Sequence, residues 1–127
     1  MAVVDPVEQL FAQLRHARPM LEELLAATDR LSGREERLGE TTESIVRALR
    51  ELAPGRHLNH GFVATIDRWA DGSEPARSSG RMLVNAFLQA RFFLQLAVHC
   101  ASQEASTLAW QRERPSEVAA FLRLYEL

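Results

Sequence analysis

Four groups of side chains in this sequence have the types and spacing to do chemistry. His57 and His60 flank Leu58-Asn59, with Asp67 and Asp71 shortly after. Two imidazoles and a carboxylate can hold a transition metal. The i, i+3 histidine pair is the weakest form of such a signal, because no HExxH or CxxC stands with it. His57 and His60 are therefore candidate metal ligands only. The sequence is expected to carry no metal and no cofactor, with one loop histidine and one at a helix start. His99 and Cys100 suggest a thiol–imidazole pair, but neighbours on a helix point about 100° apart and do not face each other. Cys100 is expected in the core as a small hydrophobe. The acid pairs Glu22-Glu23 and Glu35-Glu36 lie in no apolar setting that would raise a pKa, so they belong to wet helix faces.

No nucleophile elbow, dinucleotide fingerprint or P-loop pattern occurs. All fifteen basic residues are arginine. A lysine-free chain offers no Schiff-base amine and no P-loop lysine. With no catalytic constellation legible, a non-enzymatic role is expected.

Charge narrows the partners. The formal net charge is −2, and the arginines alternate with glutamates at helical spacing, so no basic footprint for nucleic acid is present. Met82 to Ala101 is long enough for a bilayer span, yet it contains Asn85, Gln89, Arg91, Gln95 and His99. An arginine near mid-bilayer is costly in lipid and cheap at a protein surface. That stretch reads as a soluble helix, with no membrane partner. Residues 1–6 show no basic-then-apolar leader, and the lone cysteine cannot form an internal disulfide. A soluble, cytoplasmic protein is the expectation.

The elements that would position these groups are all helices. Leucine and alanine supply eighteen residues each, against ten valines and isoleucines together, a composition that forms helices and starves strands. Asp5-Pro6 caps a helix whose apolar seam runs Val7, Leu10, Leu14, Ala17, Leu21, Leu24, Thr28 and Leu31, widened by Phe11 and Leu25. The seam holds its phase across Pro19, which predicts one bent helix from Pro6 to Leu31 rather than two. Ser32 and Glu35 offer a capping box for the next helix, and Thr41 or Thr42 an alternative cap. That helix uses Leu38, Ile45, Val46, Leu49 and Leu52 and ends at Ala53-Pro54-Gly55. Phe62, Val63, Ile66 and Trp69 mark a short third helix after a polar connector, 56–60, with Trp69 closing the core. Residues 71–80 read as a loop. A long helix follows from about 81 to 113, or breaks around Cys100 to Thr107, where Ala, Ser and Thr are dense, and 116–127 forms a short last one.

The chain thus reads as one domain, 1–127: an all-α, four- to five-helix antiparallel bundle-like fold with one long central helix and no β-strands. At about 50 Å that helix would overhang a globule of this length, whose diameter is about 35–40 Å. Leu88, Phe92 and Leu96 recur every fourth residue on its otherwise polar side. They predict an interface rimmed by Arg81, Asn85, Gln89, Gln95 and His99, with Trp110 near the far end. The expected function is a self-associating protein–protein interaction module, a homodimer serving as adaptor, chaperone or small subunit of a larger complex. The alternative is a small bundle that binds a metal or apolar ligand, or an enzyme whose site is not recognisable from sequence.

Overall fold

The computed structural model describes residues 5–30, 37–70, 76–102 and 116–127, without the side chains of 69, 70 and 76–82. Five helices make up this part, and no strand occurs among the described residues.

The first helix, α1 (Pro6–Asp29), starts where the sequence prescribes. The Asp5 carboxylate accepts the Val7 backbone N–H at 3.0 Å, and Pro6 takes the first helical position, which has no intrahelical donor to lose. The helix runs unbroken through Pro19. Leu10, Phe11, Leu14, Leu21 and Thr28 are buried along the predicted seam. The inward face on both sides of the proline holds the chain in one helix despite the missing hydrogen bond. Leu31, Ser32 and Glu35 lie outside the described residues.

The second helix, α2 (Leu38–Leu52), begins earlier than a threonine cap would place it. Thr42 is fully buried and donates its hydroxyl to the Leu38 carbonyl at 2.7 Å, one turn inside the helix. The threonine is thus a back-bonded core residue, not a cap. The third helix, α3 (His60–Ala70), is capped by Asn59, whose Oδ1 accepts from Gly61 N at 2.9 Å and Phe62 N at 3.4 Å. The connector therefore closes at Asn59, and His60 is already helical.

The fourth helix, α4 (Ala76–Ala101), is the axis of the bundle and packs on all four others. It starts within the segment the sequence suggested as loop, so residues 76–80 are helical and 71–75 lie outside the described residues. The other end is Ala101, followed by a turn at Ser102. Its 26 residues measure about 39 Å, close to the diameter expected of the whole domain. The inference that this helix overhangs its own globule therefore has no support in the described residues. Residues 103–113 lie outside them.

The last helix, α5 (Ser116–Leu124), seals the core with Val118, Phe121, Leu122 and Leu124. Tyr125 then closes a joint that the sequence did not reveal. Ala53 N turns to the Arg50 carbonyl, leaving the Leu49 carbonyl without its usual helical donor. The buried Tyr125 hydroxyl supplies that hydrogen bond at 2.6 Å. In exchange the α2–α3 connector caps α5: Asn59 N donates to Leu124 O at 2.6 Å and Arg56 Nε to Tyr125 O at 3.3 Å.

Candidate functional site

Three places bear on function: the outer face of α4, the corner where α2 meets α3, and the buried thiol.

On α4, Ala86, Ala90, Leu94, Ala97 and Cys100 face the core, each at most 2% exposed. The opposite arc carries Asn85, Gln95 and His99, all exposed, with Gln89 half-buried. Val84, Leu88 and Phe92 lie among them at 41%, 55% and 50% exposure. Leu96, expected to continue this stripe, is a correction: it is 7% exposed and belongs to the core cluster. The reason is geometric. Each fourth residue advances about 40° around a helix, so the three steps from Val84 to Leu96 wrap roughly a third of its girth. A straight core face must meet one end of the series, and it takes Leu96. The stripe is therefore Val84–Leu88–Phe92. Val84 was missed, although it stands four residues before Leu88. The Arg81 side chain and Trp110 lie outside the described residues, as does the Trp69 side chain.

The flank of the stripe is organised. Arg91, half-buried, donates through Nε to Thr28 Oγ1 at 3.0 Å and through Nη2 to Asp29 Oδ1 at 2.6 Å, tying α4 to the end of α1. The Phe92 ring meets Phe93 edge-on at 5.4 Å, and Phe93 meets Phe62 of α3 at 5.2 Å. An exposed ring is thus held by a chain of aromatic contacts that ends in the core. By length and composition Leu83–Ala101 could also cross a membrane. In the bundle it is the helix on which every other one packs.

His57 and His60 are both exposed and line an open cleft of about 680 Å³ at the α2–α3 corner. Arg50 and Arg56 share that cleft. No group of three His, Cys, Asp or Glu side chains is placed to hold a metal among the described residues. Two guanidiniums beside the imidazoles would moreover repel a cation. The arginines were not singled out in the sequence: Arg50 belongs to α2 and only the fold brings it to the histidines, while Arg56 stands beside His57 in the connector.

Cys100 is buried, 2% exposed. Burial first, and the Glu117 carboxylate second, push its thiol up from 9.0 to about 12. A thiol that stays protonated is neither nucleophile nor metal ligand. His99, its neighbour, faces solvent.

No known protein-family pattern matches this chain, and neither a curated protein nor a solved structure does. Function must be argued from these surfaces alone.

Proposed function

We propose that this protein is a self-associating helical module whose copies meet through the outer face of α4. The observation that carries the reading is the Val84–Leu88–Phe92 stripe, three large apolar side chains left about half exposed on one face of the central helix. Contiguous exposed apolar surface on a soluble chain ordinarily meets another surface.

A second copy of the chain is the occupant the flanking residues favour. In a two-fold pairing each patch faces its own kind. Like charges would repel there, but the exposed flank is mainly amide: Asn85 and Gln95, with Gln89 beside them. Amides both donate and accept, so they can bond to their own copies. Among the described side chains the nearest fixed charge, Arg91, is already paired with Asp29.

Magnitudes set the strength. Completing the burial of one half-exposed apolar side chain yields about 1 kcal/mol, so three on each of two copies yield about 6 kcal/mol gross. Association costs at least about 4 kcal/mol, so a dimer at high micromolar concentration draws about 3 kcal/mol more from the flanking amides, at about 1 kcal/mol for each hydrogen bond across the two-fold. Phe92→Glu is the discriminating variant. It should keep its helical circular dichroism and sediment as a monomer at concentrations where the parent chain dimerises. Met20→Glu is the control, because Met20 is similarly exposed, at 42%, but lies on α1; it should dimerise like the parent. Equal dimerisation of both variants would rule out α4 as the contact.

A further inference from the structure

The cleft at the α2–α3 corner takes no residue from α4 and is independent of the dimer surface. Four side chains that carry or can acquire positive charge converge on it from three successive pieces of chain. They are Arg50 in the last turn of α2, Arg56 and His57 in the connector, and His60 at the first position of α3. Elsewhere two arginines pair with carboxylates, Arg18 with Glu22 at 2.8 Å and Arg91 with Asp29. Among the described residues Arg50, His57 and His60 make no hydrogen bond or ion pair, and Arg56 spends only its Nε on the Tyr125 carbonyl. One carboxylate, Glu126, lines the cleft beside them.

The backbone that presents these groups is tied down. Asn59 N is bonded to Leu124 O, and Asn59 Oδ1 caps α3. Gly55 turns the chain at φ +84°, a conformation that strains any residue with a side chain. The α3 N-terminus adds the positive end of its dipole at His60. Unpaired like charges brought together repel, and an anion relieves that repulsion. The cleft's 680 Å³ lies within the range of small-molecule sites, and Leu58 and Val63 give it an apolar side.

We infer that this cleft binds a small phosphorylated molecule, with Arg50 and Arg56 on the phosphate and Leu58 and Val63 against the organic part. A guanidinium fork matches phosphate oxygens two at a time, and the imidazoles supply further donors. The test is titration of the full chain with inorganic phosphate, pyrophosphate, phenyl phosphate and citrate in low salt, followed through the Gly55 and Gly61 amide resonances. Saturable shifts at both glycines, tighter for phenyl phosphate than for inorganic phosphate, are expected. Arg50→Gln should weaken phenyl phosphate by about tenfold, the worth of one charged hydrogen bond. His57→Ala with His60→Ala should weaken it further. Arg123→Gln, an exposed arginine on α5, should leave it unchanged. These targets are all exposed, so the fold survives their replacement. Absence of saturable binding overturns the inference. So does equal weakening by Arg50→Gln and Arg123→Gln, which marks diffuse charge, and so does citrate binding as tightly as phenyl phosphate.

Discussion

Tyr125 does more for this fold than its place two residues from the last would suggest. Its hydroxyl satisfies the orphaned Leu49 carbonyl, its ring packs edge-on against Phe121 at 5.4 Å, and its own carbonyl receives Arg56. Burial drives its phenol well above the ordinary 10.0, as it drives the Cys100 thiol to about 12. Both groups keep their proton in the folded chain at pH values where the unfolded chain releases it. The unfolded state then binds fewer protons, so stability falls as pH rises. The loss should begin near pH 9.0, the unfolded value for the thiol, and steepen above 10.0, where the phenol joins it. Each group contributes about 1.4 kcal/mol per pH unit over its window. Denaturant melts from pH 8 upward measure this. Tyr125→Phe should cost about 1–3 kcal/mol at neutral pH, because it leaves the Leu49 carbonyl unmet. It should also flatten the decline above pH 10.0. An unchanged slope in that variant would place the alkaline loss elsewhere.

Helices were legible wherever one face alternates cleanly with water. The α1 seam read correctly through Pro19 because burial, not local propensity, decides whether a helix continues. Pro19 itself is exposed and removes one backbone bond. Pro19→Ala should therefore stabilise the protein by about 1–3 kcal/mol, read as a higher denaturant midpoint at unchanged slope. A lower midpoint would mean that the proline shapes α1 in a way its neighbours need. The start of α4 was misread for the opposite reason. Ser78-Ser79-Gly80 are poor helix formers, yet α4 continues through them back to Ala76. Thr42 misled in the same manner, since a threonine near a helix start resembles a cap until its burial is known.

The whole molecule was legible as an all-α bundle from composition and periodicity, and illegible where side chains distant in sequence combine. The Tyr125–Leu49 bond joins elements across a long stretch of chain, and no local pattern encodes it; the arginine–histidine cleft gathers residues 50–60, but from three different pieces of structure that only the fold turns towards one another. Two of the three residues of the exposed stripe, Leu88 and Phe92, were read directly. Leu96 was misassigned because an i+4 series drifts around the helix while the core does not. What the stripe does rests on self-association, and sedimentation equilibrium of the unmodified chain tests that most directly. Over a series from low to high micromolar, the apparent mass should climb from 14.3 kDa towards twice that value. A mass that stays at 14.3 kDa up to high micromolar concentration contradicts the account.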